Sequence, residues 1–296
     1  MSLSVRILGA SGGIGPGRRT TSILVDDDIL IDAGSGVGDL TLTELRRIRH
    51  IFLTHSHLDH IAFLPMLADM VYAPDAPPIE VHALPETLKA LGDHVFNWVI
   101  WPDFTQLPTP EQPLLRLHPL QPGQRVALGE REMRALPARH TVPTVGYSVL
   151  HRDGASFAFS GDTTSSDQLW PALNALPRLD LLMIETGLPD EMEGMADLAR
   201  HYTPQHLRED LARLEHQPRI AITHLKPGHE QAIRQQLARS QHHAGMIFLY
   251  GNERFELNDG HLKGPAHRRT LGGSADARTM PAPQGDPEPE STATGG

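Results

Sequence analysis

The strongest constraint in this sequence is the stretch THSHLDH, in which His55, His57, Asp59 and His60 fall within six residues. It directly follows the run IRHIFL, whose continuous apolar pattern is typical of a strand buried on both faces. Side chains alternate along a strand, so His55 and His57 are expected to point the same way and to bind one metal ion together. Asp59 and His60 lie past the turn, at the start of the next helix, where they are expected to face a second ion.

A capped helix with incidental histidines is the alternative interpretation of this cluster, with Asp59 as the cap. Four ligand-type side chains in so short a stretch favour the metal site. The chain has no cysteine, which excludes disulfides, thiol nucleophiles and thiolate ligands. Metal ions must therefore be held by imidazole and carboxylate, ligands that suit Zn²⁺, with Mn²⁺ or Fe²⁺ as alternatives.

Three further apolar strands end in a ligand-type residue. REMRALPARH ends at His140, SFAFSGD at Asp162 and PRIAITH at His224. Each of these residues alone is also typical of a turn or a cap. Together with the cluster they supply the further ligands that a two-metal site needs, and Asp162 is the candidate for a bridging carboxylate.

The cluster HxHxDH, followed by His140, the turn 161–163 and His224, resembles the metallo-β-lactamase superfamily in order and spacing over residues 1 to about 258. HSHLDH, HVFNWVIWPDFTQLP and HTVPTVGYSV are similar to segments of the class II cyclic-nucleotide phosphodiesterases. The alternation of strands and helices already suggests mixed sheets covered by helices. The resemblance implies an α/β fold of the four-layer αββα type, with the site at the edge where the two sheets meet.

The resemblance also implies a binuclear site and its chemistry. One metal ion would be held by His55, His57 and His140, the other by Asp59, His60 and His224, with Asp162 bridging. The implied reaction is hydrolysis of 3′,5′-cyclic nucleotides (cAMP or cGMP) to 5′-nucleotides, by attack of a hydroxide that bridges two metal ions. Asp59 is expected to orient or deprotonate the nucleophile.

His201, in LARHYTP, is the candidate general acid for the leaving oxygen. It resembles the His-x-Thr segment of related phosphodiesterases and of tRNase Z. Glu185, at the end of LDLLMIE, is expected to orient His201, as a glutamate does in those relatives. The alternative for His201 is a solvent-exposed neighbour of a helix cap.

Two other motifs have competing interpretations. The glycine-rich stretch GASGGIGPGRR is not a dinucleotide fingerprint, because strands rather than a helix follow it; it is expected to lie near the site, with Arg18 and Arg19 as surface arginines rather than phosphate ligands. The segment 96–104, FNWVIWPDF, contains four aromatic residues. Packing over the core is favoured for it over an aromatic wall that stacks a base or supports a dimer contact.

Composition predicts one catalytic domain over residues 1–260 and a disordered tail over 261–296, which is rich in Pro, Gly, Ser and Ala. The net charge of −10 argues against a general nucleic-acid binder. No apolar run approaches the roughly 20 residues that span a bilayer, and no signal peptide is recognised. A cytoplasmic location, a small-molecule substrate, no membrane partner and, from base rates, a homodimer are therefore expected.

Three alternative functions remain open from the sequence. The first is a tRNase Z-like endonuclease, against which stand the acidic net charge and the absence of an evident basic arm for tRNA between Pro143 and Arg200. A hydrolase of lactones, carboxyl esters or β-lactams would use the same scaffold. A non-catalytic metal-binding module is disfavoured, because a purely structural role does not need an open site.

Overall fold

The computed structural model describes residues 3–73, 75–239, 245–258 and 261–264. Its first sheet comprises eight strands within these ranges: β1 (Leu3–Gly9), β2 (Ser22–Val25), β3 (Ile29–Ile31), β4 (His50–Phe52), β5 (Ile79–Ala83), β8 (Leu115–Pro119), β16 (Arg254–Asn258) and β17 (His261–Lys263). Their order is β17-β16-β1-β2-β3-β4-β5-β8. The pairs from β3 to β8 are parallel and the others antiparallel, so the sheet is mixed.

The second sheet comprises seven strands of the described residues: β9 (Arg125–Leu128), β10 (Arg131–Pro137), β11 (Val145–His151), β12 (Ser156–Phe159), β13 (Leu181–Glu185), β14 (Arg219–Thr223) and β15 (Ile247–Phe248). Their order is β15-β14-β13-β12-β11-β10-β9. The strands from β12 to β15 pair in parallel and the others antiparallel. Two short strands, β6 (Pro108–Thr109) and β7 (Gln112–Pro113), form a separate hairpin.

The α-helices in the described ranges are α1 (Leu42–Leu45), α2 (Leu58–Ile61), α3 (Leu64–Val71), α4 (Pro85–His94), α5 (Leu169–Asn174), α6 (Glu193–Ala199), α7 (Pro204–Leu211) and α8 (Glu230–Leu237). Short 3₁₀ turns occupy Ser35–Asp39 and Asp190–Met192. None of these helices is long and apolar enough to cross a membrane. The helix expected to start at Asp59 and His60 is α2, and Phe63 separates it from α3. Pro65 lies in the first turn of α3, where its missing N–H costs nothing.

Three clusters of buried hydrophobic residues fill the spaces between the layers. The central one joins the inner faces of the two sheets and includes Phe52 and Tyr147. One outer cluster joins the first sheet to α1, α3 and α4, and the other joins the second sheet to α5, α7 and α8. In β4, Ile51 belongs to an outer cluster and Phe52 to the central one, so this strand is buried on both faces as predicted. The predicted αββα sandwich with mixed sheets is confirmed.

The aromatic segment 96–104 packs mainly as a core element. Phe96 and Phe104 are buried in the outer cluster of the first sheet, and Trp101 packs against it. Trp98 is exposed at the tip of the loop. Phe96 and Phe104 are therefore not available to stack a base, which favours the packing interpretation.

The predicted tail begins at residue 261, yet His261–Lys263 pair with β16 as an edge strand. Residues 265–296 lie outside the described residues. The domain boundary near residue 260 therefore stays a prediction.

Candidate metal centre

The sequence-predicted ligands lie at one edge of the sandwich, because each follows the carboxyl end of a strand. His55 comes after β4, His140 after β10, Asp162 after β12 and His224 after β14. His57 is the residue that precedes α2, whose first turns carry Asp59 and His60. Gly161 has φ of 62°, and a Cβ there would lie 2.8 Å from the Val145 carbonyl oxygen. Only glycine fits this turn, which directs Asp162 into the site.

The structure brings these seven residues together in two groups. Ligand atoms of His55, His57 and His140 lie within 4.8 Å of one another. The same limit holds for the second group, which consists of Asp59, His60, Asp162 and His224. The grouping matches the division between two ions expected from the sequence, while the metal-binding roles themselves stay predictions.

Asp162 lies at the centre of both groups. Its Oδ2 atom is 3.2 Å from His224 Nε2 and 3.4 Å from His60 Nε2. The same oxygen is 3.8 Å from the Nε2 atoms of His55 and of His140. The other oxygen, Oδ1, is buried without a hydrogen-bond partner among the described residues. A carboxylate that faces both sets of imidazoles suits a bridging ligand.

Asp32, the residue directly after β3, orients His60. Asp32 Oδ2 accepts a hydrogen bond from His60 Nδ1 at 2.7 Å, and its two oxygens also accept from the backbone N–H and the hydroxyl of Thr54. The bond fixes the ring so that Nε2 faces Asp162. Sequence reasoning missed Asp32, although ILIDAG shows the same signal as the predicted ligands, an apolar strand that ends in a carboxylate.

The other Nε2 ligands also have their Nδ1 atoms near oxygen atoms outside the predicted ligand set. These Nδ1 contacts are His55 with Thr54 Oγ1 at 2.9 Å, His140 with the Arg200 carbonyl at 3.1 Å, and His224 with Thr21 Oγ1 at 3.4 Å. His57 differs, because its Nδ1 atom is the one that lies 3.2 Å from His140 Nε2. His55, His140 and His224 are thus held through Nδ1, which leaves Nε2 to ligate.

Protonation of the rings fits cation binding. Burial holds the pKa of His55 and of His224 well below the ordinary value, and it lowers the pKa of His140 to about 4. These rings are neutral and offer lone pairs. Burial also opposes the charge on His60, but the carboxylates of Asp162 and Asp32 hold its pKa well above the ordinary value. A metal ion at His60 must displace that proton.

Two of these imidazole nitrogens, His55 Nε2 and His60 Nε2, are buried without a hydrogen-bond partner among the described residues. Orphaned buried polar atoms are rare in folded proteins, so they indicate a missing partner. Imidazoles and carboxylates around one small volume fit two divalent cations, provided that His60 gives up its proton when metal binds.

The predicted pair His201 and Glu185 also reaches this centre. His201 Nδ1 lies 2.8 Å from Glu185 Oε1, which also accepts a bond from the Thr163 N–H. Ligand-type atoms of His140, Asp162 and His201 lie within 4.8 Å of one another. Burial disfavours a charged His201, but the carboxylate of Glu185 outweighs it and raises the pKa of the imidazole. His201 is buried in the site and is not a surface neighbour of a helix cap.

The glycine-rich loop lies against the metal centre, as the sequence suggested. A Cβ on Gly12 would lie 2.6 Å from the His224 carbonyl oxygen and 2.9 Å from His224 Cδ2. Lys226 Nζ donates to the Gly12 carbonyl at 2.9 Å and lies 3.3 Å from His224 Nε2. Sequence reasoning did not single out Lys226.

The two arginines after the glycines are paired with carboxylates. Arg18 contacts Glu230 at 2.6 Å, and Arg19 contacts Asp39 at 3.0 Å. These ion pairs favour the surface interpretation of both arginines over a role as phosphate ligands.

Comparison with known proteins agrees with this geometry. A family model described as a beta-lactamase superfamily domain matches residues 27–241. A probable 3′,5′-cyclic-nucleotide phosphodiesterase of Yersinia pestis is 25% identical over 280 residues, which cover 78% of this chain and 80% of that protein. A Ribonuclease Z of Bradyrhizobium sp. (strain ORS 278) is 29% identical over 181 residues, or 60% of this chain and 54% of that protein.

Among solved structures, unliganded yeast PDE1 superposes with a TM-score of 0.70 at 19% identity, over 87% of this chain and 99% of that one. At that identity the similarity shows the fold alone. The fold of this chain is thus shared with a protein of the same architecture.

Proposed function

The chain belongs to the β-lactamase superfamily of metal-dependent hydrolases, and we propose that it hydrolyses the phosphodiester bond of 3′,5′-cyclic nucleotides such as cAMP or cGMP. The observation that carries the proposal is the His201–Glu185 pair, which meets Asp162 and His140 at the candidate metal centre. A ligand set alone fits any hydrolase of this superfamily. A buried, carboxylate-supported imidazole at the centre suits a reaction in which a basic alkoxide leaves.

We propose that His55, His57 and His140 hold one divalent ion and that Asp59, His60 and His224 hold the other, with Asp162 between them. Bound together, two such ions supply an activated water nucleophile and neutralise charge on the phosphate. Zn²⁺ is the ion we propose, because imidazole and carboxylate ligands suit it; Mn²⁺ and Fe²⁺ are the alternatives.

In this proposal Asp59 orients or deprotonates the nucleophilic water. Its Oδ2 atom lies 3.7 Å from His60 Nε2 and 3.8 Å from His224 Nε2. Its side chain is 26% exposed, whereas that of Asp162 is only 2% exposed. Asp59 therefore faces the open side of the centre, where water and substrate enter.

His201 acts in this proposal as the general acid. Its Nδ1 atom is bound to Glu185, which fixes the ring and stabilises the charged form, so Nε2 is left to donate a proton to the 3′ oxygen as it leaves the phosphorus. Glu185 does not contact the substrate. It positions His201 and is itself held by the Thr163 N–H.

A Ribonuclease Z-like activity is the second candidate, favoured by the similarity to the Bradyrhizobium protein. Two observations weigh against it. The net charge is −10, which is unfavourable for a polyanion as large as tRNA. Residues 143–200, which the structure describes throughout, form β11, β12, α5, β13 and α6, and the longest connection among them, 160–168, carries Asp162. That region contains no projecting basic arm.

The test is a substrate panel with the purified protein after loading with Zn²⁺, Mn²⁺ or Fe²⁺. It comprises cAMP, cGMP, bis(p-nitrophenyl) phosphate, a precursor tRNA and a set of lactones. We expect cyclic-nucleotide turnover that a chelator abolishes and that added metal restores. Lactone turnover without phosphodiester cleavage would sink the proposal, and tRNA cleavage without cyclic-nucleotide turnover would favour the second candidate.

We also propose a cytoplasmic location and a homodimeric state, with a small-molecule substrate and neither nucleic acid nor membrane as a partner. Light scattering of the purified chain tests the oligomeric state, and fractionation of cells tests the location.

A further inference from the structure

We propose that Lys226 is a specificity-determining residue whose ammonium group binds the non-bridging oxygens of an anionic phosphodiester at the metal centre. This inference rests on the proposed function and names the charge class of its substrate. It assigns Lys226 to substrate recognition, a role that neither the ligand set nor the His201–Glu185 pair fills.

Lys226 is the lysine nearest the centre in a chain that contains only three, the others being Lys89 and Lys263. Its Nζ atom lies 3.3 Å from His224 Nε2 and donates to the Gly12 carbonyl at 2.9 Å. Within the described part of the chain it has no carboxylate partner. Its charge also reaches the neighbouring rings, because it opposes protonation of both His224 and His201.

The backbone around Lys226 fixes the base of its side chain. The Lys226 N–H donates to the Gly187 carbonyl at 3.1 Å. Gly187 packs against His201, since a Cβ there would lie 3.0 Å from His201 Cγ. Lys226 is thus half-buried, next to His224 and separated from His201 by Gly187.

The Lys226 ammonium group has more N–H donors than the acceptors around it in the described residues can use. Lysine carries three N–H donors and no acceptor. Once His224 Nε2 is used as a ligand, it no longer accepts a bond, so among the described residues the Gly12 carbonyl is the remaining hydrogen-bond acceptor for the Lys226 ammonium group. Two donors are then free to point into the site.

The electrostatic interaction between the Lys226 ammonium group and the metal site indicates which substrates these donors favour. A lysine held beside a site for two divalent cations is repelled by them, and the repulsion is strong near a protein interior. Binding of an anion removes that cost, because both the ions and the ammonium attract it. A phosphodiester monoanion gains from this arrangement, whereas a neutral lactone does not. The arrangement therefore favours charged substrates over neutral esters on the same scaffold.

The alternative is that Lys226 only anchors the glycine-rich loop through Gly12. The two roles differ in a measurable way. An anchor affects the stability and the metal content of the protein but not its affinity for anions at full metal occupancy. An anion ligand affects that affinity while metal content stays constant.

The experiment compares Lys226→Met and Lys226→Arg with the unchanged protein in the metal-loaded state, with Lys89→Met as the matched control. Lys89 is an exposed lysine paired with Asp93 on α4. The measurements are the dissociation constant of inorganic phosphate by calorimetry, KM and kcat for bis(p-nitrophenyl) phosphate, metal content and Tm.

We expect Lys226→Met to weaken phosphate binding and raise KM about 10- to 100-fold, the range for loss of a charged hydrogen bond, with both metals retained. Lys226→Arg should recover most of the affinity, and Lys89→Met should change nothing. Unchanged phosphate affinity in Lys226→Met overturns the inference. The inference also fails if Lys226→Met and Lys226→Arg both lose phosphate affinity together with their bound metal. If the unchanged protein cleaves no phosphodiester, the proposed function fails, while the phosphate measurement still decides the role of Lys226.

Discussion

Asp32 and His60 form a fully buried pair, with 2.7 Å between Asp32 Oδ2 and His60 Nδ1. Asp32 has φ of 57°, a left-handed conformation that few residue types other than glycine adopt readily. At this position the Asp32 carboxylate also accepts hydrogen bonds from the backbone N–H and the hydroxyl of Thr54. The orientation of the His60 ring, within the stretch THSHLDH, therefore depends on Asp32, which directly follows β3.

Replacement of Asp32 by asparagine should weaken metal binding about 10- to 100-fold, the usual effect of losing such an outer partner of a metal-binding histidine. Asparagine keeps the shape of the side chain and tolerates the left-handed conformation, so the fold should persist. Competition with a chromophoric chelator measures the affinity. Asp27→Asn, in the exposed turn before β3, is the control. Equal affinities in the two variants would contradict the role assigned to Asp32.

Asp162→Ala should lose both metal ions and the hydrolytic activity. Its Oδ2 atom lies within 3.8 Å of four imidazole nitrogens, so its removal takes the shared carboxylate from both groups and leaves Asp59 as the one carboxylate among the candidate ligands. Elemental analysis of the purified variant gives the metal content, and turnover of bis(p-nitrophenyl) phosphate gives the activity. An active variant that still holds two ions would remove Asp162 from the bridging position.

His201→Ala should retain its metal ions and lose turnover by about 10²- to 10⁴-fold, the range for general acid catalysis. The loss should be largest for cAMP, whose leaving alkoxide needs a proton, and smallest for bis(p-nitrophenyl) phosphate, whose leaving group is stable as an anion. Steady-state kinetics on both substrates, with metal content measured in parallel, checks this. A loss of the same size on both substrates would count against proton donation by His201.

The candidate ligands could be named from the sequence because they are marked locally. His55, His140, Asp162 and His224 each follow an apolar strand, and His57, Asp59 and His60 fall in the same short stretch as His55. The same mark is present at Asp32, but its role depends on where the His60 ring points, which only the packed structure fixes. The Nδ1 partners of His140 and His224, the Arg200 carbonyl and Thr21, come from distant segments. No spacing along the chain connects them to the ligands.

The alternation of strands and helices indicated mixed sheets covered by helices, since strands buried on both faces need a layer on each side. The four-layer αββα arrangement was expected from the resemblance to the superfamily. Finer features were not. The break between α2 and α3 at Phe63 follows from local backbone geometry next to Pro65. The burial of Phe96 and Phe104, against the exposure of Trp98 between them, depends on how one loop closes over the outer cluster. Residue type alone does not separate these aromatic rings.

Gly12→Ala should lower metal affinity at the group that contains His224, whereas Gly15→Ala in the same loop should not. A Cβ at Gly12 would lie 2.6 Å from the His224 carbonyl oxygen and 2.9 Å from its ring, closer than Cβ atoms are found to approach backbone. The His224 backbone or ring must then shift. At Gly15 the nearest atom, in the Arg18 side chain, is 3.4 Å away, so the methyl group fits.

Calorimetric titration of the metal-free variants with Zn²⁺ separates the two outcomes, because in the proposed assignment only one of the two ions is held by His224. We expect Gly12→Ala to keep one strong binding event and to weaken the other, with a lower Tm for the loaded protein, and Gly15→Ala to match the unchanged chain. Two unaltered binding events in Gly12→Ala would show that the glycine-rich loop yields to the methyl group, and that its contact with His224 does not hold the ligand in place.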